Sequence, residues 1–161
     1  MRKKIVNEAK MTSNEFWQKT KAALKLQDDE SFAGELGFEA RGFAGTEKIA
    51  ALLAERKRAA FSTYAVYAID NEILPVSGEF YIVKNAEEEA VCAIQIQRVE
   101  ILPFNEVPWS LAALEGEDEN LQEWRERTRE ILEEESEIIG YEFREDIKLV
   151  FMEFKIVYKT N

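Results

Sequence analysis

The apolar residues of this chain change from a helical period to a period of two near residue 59, and this change constrains the fold most. Before it, Thr12 and Glu15 form a capping box that opens one helix, and a second helix is predicted to end in the basic turn 56–58. After it, small and aromatic residues alternate over 60–67, as in a β-strand. The chain therefore contains both helices and strands.

Three more strands and one long helix are predicted further along the chain. The strands lie at residues 79–84, 90–102 and 147–158. The helix is predicted to begin at the N-cap Asp118 and to end at Gly140, and the glycine-rich stretch 34–45 is predicted as an irregular connection. Because strands and helices do not alternate regularly, we predict an α+β fold whose sheet curls towards a small barrel.

The residue types that are absent exclude several kinds of chemistry. The chain has no histidine and one cysteine, Cys92, which rules out His general bases, Ser-His-Asp triads, CxxC motifs and an internal disulfide. Proton transfer would have to use Lys, Asp, Glu, Tyr or a metal-bound water, and a metal would have to be a hard cation held by carboxylates. We predict no cofactor and no metal.

The charge balance limits the partners. The net charge is −11, from 21 basic and 32 acidic residues, so we expect no binding to duplex DNA. Residues 111–150 contain 14 acidic and 5 basic residues, which leaves open an acidic surface that binds a partner protein. The chain lacks an apolar run of about 20 residues. We therefore expect no membrane partner and a cytoplasmic location, while the oligomeric state stays open.

Two charged segments are candidate sites. The basic turn 56–58 either complements the negative end of a helix dipole or anchors an anion or a base. The acidic segment 115–119 is either a solvated loop before a helix or a source of a catalytic carboxylate or a metal cluster, although it lacks the spacing of a calcium loop. The residues alone do not decide between these alternatives.

The order of several short segments between Gly45 and Tyr158 resembles the ASCH domain, a PUA-like β-barrel family. The segments are 52–57, where the family has a helix ending in a Gly-Arg/Lys-Lys turn, 91–94, 99–107, 115–117, 123–126, 143–146 and 154–158. The resemblance implies a PUA-like small curled β-barrel with inserted and flanking helices over residues 41–161. Residues 1–40 would form an N-terminal helical extension packed on that domain.

The resemblance also implies a function. A family member is expected to bind RNA or a nucleotide- or nucleoside-like ligand in a cleft of the barrel. Lys57 and Glu117 match the family's lysine and glutamate. We expect these two residues to bind the ligand together with Arg58, Ser62 and Glu115. Lys57 and Arg58 would be anion contacts, and Glu117 would accept a hydrogen bond from a base.

Hydrolysis is the alternative that the resemblance suggests. Some relatives are amidohydrolases that remove the acetyl group from N-acetylcytidine with a lysine, a threonine and a glutamate, and others are proposed to be ribonucleases. Here Lys57 would act as the base and Glu117 as the proton shuttle. Ala60 stands where the family has its threonine, and Ser62 is the next hydroxyl along the strand. Enzymatic activity is therefore left open.

Overall fold

The computed structural model describes residues 11–37 and 43–160, which form two compact units. The first unit takes in the described residues up to Leu53, the segment Glu79–Gln95 and the end of the chain from Ile156. The second unit consists of Ala54–Gly78 and Ile96–Lys155. Each unit is thus assembled from segments that are distant in the sequence.

Five helices and five strands are present in the described residues, apart from two short 3-10 turns. The helices are α1 (Ser13–Leu24), α2 (Phe43–Leu53), α3 (Tyr64–Asp70), α4 (Trp109–Ala112) and α5 (Leu121–Ile139). The strands are β1 (Gly34–Gly37), β2 (Ala59–Thr63), β3 (Phe80–Lys84), β4 (Ala90–Pro103) and β5 (Lys148–Lys159). The predicted α+β class is confirmed.

The strands form one mixed sheet in the order β1-β3-β4-β5-β2. β1 is parallel to β3, whereas β3 with β4 and β2 with β5 are antiparallel. The prediction of an irregular connection was wrong for Gly34–Gly37, which forms the edge strand β1. This strand contains no β-branched residue, so its sequence does not indicate a strand. Its pairing with β3 stabilises it instead.

The first unit has a core beneath α1. The predicted capping box is confirmed, since Thr12 and Glu15 each accept a hydrogen bond from the other's backbone N–H. Phe16 and Trp17 of α1 are buried in one apolar cluster with β3. Burial also raises the pKa of the Cys92 thiol to about 12, so this side chain stays neutral and unreactive near pH 7.

The second unit has its core between α5, β2 and β5. Trp124, Thr128 and Leu132 lie at i, i+4 and i+8 and form the buried face of α5. The ring of Phe61 lies 5.1 Å from those of both Trp124 and Phe151. This packing fixes β2 and α5 beside each other, which matters for the site described below.

Two predicted boundaries in the second unit were wrong and one was confirmed. The strand predicted over 60–67 ends at Thr63 and continues as α3, because alternation over a few apolar residues also fits a short helix. The N-cap of α5 is Asn120, whose side chain accepts from the backbone of Glu123, rather than Asp118. Gly140 ends α5 in a left-handed conformation, as predicted.

In the described part of the chain, no helix is long and apolar enough to cross a membrane.

Candidate functional site

The basic segment 56–58 lies in the loop that joins α2 to β2. The prediction that it forms the last turn of the second helix was wrong, because α2 ends at Leu53. Glu55 follows in a left-handed conformation with φ of 60°, which no α-helix continues through. These cations therefore do not cap the helix dipole, and the loop is free to direct Lys57 inwards.

Lys57 is buried against the acidic segment 115–119, which we call the acidic turn. Its Nζ atom lies 3.2 Å from Glu117 Oε2 and 3.4 Å from the backbone oxygen of Glu115. The Lys57 side chain is 2% exposed and that of Glu117 is 20% exposed. The ammonium group is therefore enclosed, and Glu117 is the member of this pair that keeps access to solvent.

Gly116 allows the acidic turn to lie directly on the basic loop. Its φ is +75°, and a Cβ atom at this position would lie 2.3 Å from the backbone oxygen of Arg56. The backbone N–H of Arg58 donates to the oxygen of Leu114 at 2.8 Å. A residue with any side chain would separate the two segments, so glycine is required for this contact.

Arg127 of α5 holds the carboxylates of the acidic turn. Its Nη2 atom lies 2.9 Å from Glu115 Oε1 and 2.8 Å from Asp118 Oδ2, and its Nη1 atom lies 3.7 Å from Glu117 Oε1. Burial acts to lower the pKa of Arg127, but the hydrogen bond to Asp118 and the charge of Glu115 outweigh it and raise that pKa. The guanidinium group therefore remains a permanent cation.

Glu115 has a largely internal role. It is buried, and its Oε1 atom also accepts a hydrogen bond from Trp124 Nε1 at 2.8 Å. Together with Lys57, Arg127, Glu117 and Asp118 it forms a cluster of two cations and three carboxylates, which we call the Lys57 cluster. The carboxylates outnumber the cations, so the cluster has a negative charge and suits a ligand that donates hydrogen bonds to carboxylate oxygens.

Arg58 and Ser62 are not part of the Lys57 cluster. In the described residues, no hydrogen bond or ion pair joins their side chains to Lys57, Glu115 or Glu117. The Arg58 side chain is exposed, while Ser62 Oγ lies 3.1 Å from the hydroxyl of Tyr67. Strand alternation places Ser62 and Ala60 on the face opposite to Phe61. The structure thus joins three of the five predicted residues, Lys57, Glu115 and Glu117, by direct contacts.

A cavity of about 80 Å³ lies between β2 and α5. Its polar lining residues are Ser62, Thr63, Glu115, Arg127, Thr128 and Glu135. Glu115 and Arg127 connect it to the Lys57 cluster at one end. At the other end, Glu135 Oε1 accepts from Thr63 Oγ1 at 2.5 Å and lies 2.8 Å from the hydroxyl of Tyr141. Burial raises the pKa of that tyrosine, and Glu135 adds to the rise.

The sequence analysis missed Gly116, Arg127 and Glu135. A glycine between two glutamates is a signal for a left-handed turn that could have indicated Gly116. Arg127 and Glu135 lie in a helix in which charged residues recur throughout, so nothing distinguishes them from the exposed ones. In residues 11–37 and 43–160, no group of three or more Cys, Asp or Glu side chains is arranged to hold a metal ion.

The mixed sheet with its inserted helices defines a PUA-like α+β domain. More specifically, the ASCH domain profile matches residues 38–158, and the chain belongs to the ASCH domain family. The family has a PUA-like fold, which is similar to that of RNA-binding domains. The resemblance and the fold predicted from the sequence are confirmed. The division into residues 1–40 and 41–161 stays a prediction.

Two solved structures are similar over most of their length. The first is an ASCH domain from Lactobacillus crispatus JV V101, with 27% identity and a TM-score of 0.82, covering 94% of this chain and 98% of that one. The second is a protein from Enterococcus faecalis V583, with 25% identity and a TM-score of 0.78, covering 89% of this chain and 86% of that one. No curated protein matches the chain.

Proposed function

We propose that this ASCH domain protein binds RNA or a nucleotide- or nucleoside-like ligand beside Lys57 and Glu117. The observation that carries the proposal is the enclosed ion pair between these two residues, formed by the segments that match the family. A buried lysine with a partly exposed glutamate is costly to maintain for stability alone, because desolvation offsets much of the attraction between the charges. Such a pair is better explained if a ligand binds to it.

The roles of the two residues differ. The ammonium of Lys57 is enclosed, so it would act on the ligand by orienting Glu117. The Glu117 carboxylate, still 20% exposed, would accept a hydrogen bond from an amino or imino group of a base. The side chains of Arg56 and Arg58 are exposed on the same loop and are suited to a phosphate group. Ser62 and Glu115 would line the adjoining cavity.

Binding is tested by titrating the protein with nucleosides, nucleoside monophosphates and short single-stranded RNAs, using calorimetry or fluorescence. We expect Glu117→Gln and Lys57→Met to weaken binding by about tenfold or more, the effect of losing a hydrogen bond to a charged group. Lys84→Met is the matched control, because Lys84 is also paired with glutamates but is more exposed. Unchanged affinity in both site variants would remove the proposal.

The remaining partner predictions accompany this test. Duplex DNA and anionic vesicles serve as negative controls, since the net charge of −11 opposes binding to both. The cytoplasmic location stays a prediction from the sequence. The acidic segment 111–150 as a protein-binding surface also stays a prediction. Part of its charge is already paired internally, for example in the contact between Arg129 and Glu145.

Hydrolysis is the second candidate function, favoured by the 3.2 Å contact between Lys57 and Glu117. At this distance a proton can pass directly from one residue to the other. The weakness lies at the nucleophile, since Ala60 has none and the hydroxyl of Ser62 contacts Tyr67. Water would then have to attack the substrate. Incubation with N-acetylcytidine and with RNA, beside an active relative, tests this candidate, and no turnover at high protein concentration would exclude it.

A further inference from the structure

The cavity between β2 and α5 ends at a carboxylate that no part of the proposed function uses. Glu135 is half-buried, and its Oε1 atom is held by the hydroxyls of Thr63 and Tyr141. Tyr141 is further fixed by the backbone oxygen of Leu132, which lies 3.0 Å from its hydroxyl. The carboxylate therefore has a defined orientation before any ligand arrives.

The second oxygen of this carboxylate remains available. In the described residues, Glu135 Oε2 has no hydrogen-bond or ion-pair partner, and it is not among the buried polar atoms that lack one. Glu135 is one of the residues that line the cavity, and the uncommitted oxygen belongs to the same carboxylate. A carboxylate oxygen accepts hydrogen bonds only, so the group it selects must be a donor such as a hydroxyl.

The cavity is large enough for the polar edge of a ligand, such as part of a sugar, and too small for a whole nucleoside. About 80 Å³ is roughly half the volume of a cavity that holds one benzene molecule, about 150 Å³. The cavity can therefore admit the hydroxyl edge of a sugar. Glu135 lies eight residues after Arg127 on α5, about 12 Å along the helix at 1.5 Å per residue. That length suits a base near the Lys57 cluster with its sugar extending towards Glu135.

We propose that the cavity at Glu135 is a sugar subsite, in which Glu135 accepts a hydrogen bond from the ribose 2′-hydroxyl of the bound ligand. This inference rests on the proposed function, because it assigns the second half of the same ligand. The site therefore selects ribonucleosides and RNA over their 2′-deoxy counterparts. Thr63 and Tyr141 are positioning residues that hold the carboxylate for this contact.

The test compares ribose with deoxyribose. Cytidine, uridine, adenosine and guanosine, and tetranucleotides of each, are titrated in ribo and 2′-deoxy forms. We expect the protein to prefer the ribo form by about tenfold or more, as a hydrogen bond to a charged acceptor supplies. Glu135→Gln should reduce this preference several-fold, because the amide keeps one oxygen for Thr63 and Tyr141 but replaces a charge-assisted hydrogen bond to the sugar with a neutral one.

Two further variants control the comparison. Glu134→Gln makes the same charge change at an exposed neighbour and should keep the preference. Tyr141→Phe leaves Glu135 in place but removes one of its supports, so the preference should fall several-fold. This variant also serves if Glu135→Gln does not fold.

The outcomes separate this inference from the proposed function. If both sugar forms bind equally well, or if neither the Glu135 nor the Tyr141 variant changes the preference, the sugar subsite is overturned while the ligand site at Lys57 stands. If no ribo or deoxy ligand binds at all, both are overturned. A ribo preference that falls in the Glu135 and Tyr141 variants and is kept in Glu134→Gln supports the subsite.

Discussion

Two lysines of this protein form similar ion pairs in very different surroundings. In the first unit, Lys84 Nζ lies 3.0 Å from Glu88 and 3.4 Å from Glu35, whose side chains are 76% and 46% exposed. In the second unit, Lys57 Nζ lies 3.2 Å from Glu117, and the lysine side chain is 2% exposed. The distances are alike, so contact distance does not distinguish the two pairs. Enclosure does, because water screens the exposed pair and not the buried one.

The largest effect is expected from Gly116→Ala, which would push the acidic turn away from the basic loop 56–58 and so remove the enclosure of Lys57. The new Cβ would lie 2.3 Å from the backbone oxygen of Arg56, at a φ of +75°. We expect a loss of about 3 kcal/mol or more in the free energy of unfolding, from backbone strain and overpacking together. Chemical denaturation measures this loss, and ligand binding should fall with it.

Gly78→Ala is the matched control for this substitution. Gly78 also has a positive φ, +94°, but a Cβ there would meet nothing within 4 Å. The backbone strain alone should cost about 1–2 kcal/mol. Equal losses for the two glycines would mean that the close contact with Arg56 does not constrain the loop.

A direct comparison replaces each lysine with methionine, an unbranched side chain that is one atom shorter and carries no charge. Lys57→Met leaves Glu117 and the oxygen of Glu115 without this donor. We expect a loss of about 2–3 kcal/mol, less than a fully buried pair would lose, because Glu117 is partly solvated. Lys84→Met should leave the unfolding midpoint almost unchanged, since its partners are exposed. Similar midpoints for the two variants would contradict the role given to enclosure.

The smallest expected effect concerns the acid titration of Glu35, one of the two exposed partners of Lys84. The hydrogen bond from Ser13, opposed by slight burial and aided by Lys84, lowers the pKa of Glu35 below its ordinary value of 4.5. Glu35 therefore adds stability that is present above pH 4.5 and lost as the pH falls through its lowered pKa. Ser13→Ala should raise this pKa towards the ordinary value, which NMR titration would detect. An unchanged titration curve would exclude the Ser13 contact as its cause.

Much of the fold could be predicted from the sequence because its long elements carry strong local signals. The capping box of α1, the strands β3, β4 and β5 and the end of α5 at Gly140 all follow from periodicity and turn chemistry. The errors fall at short elements and at helix ends, such as the end of α2 and the start of α5. β1 and α3 have four and seven residues, too few for a period to be read, and β1 depends on its pairing with β3.

The candidate site was predictable in part, through the family's segments. They point to Lys57, Glu115 and Glu117, which the structure brings together. Arg127 and Glu135 could not be found in this way, because only the packing of α5 on β2 distinguishes them from the other charged residues of the helix. Likewise, no pattern in the sequence tells a buried lysine from an exposed one.

The enclosure of Lys57 also has a consequence for the order of events when the chain folds. The contacts of its Nζ atom span 58 and 60 residues of sequence. Joining such distant segments costs chain entropy before any interaction compensates for it, so contacts of this kind form late in folding. A refolding chain can therefore regain the helical signal of α5 early and still lack a ligand site, which makes recovery of binding a marker for completed tertiary structure.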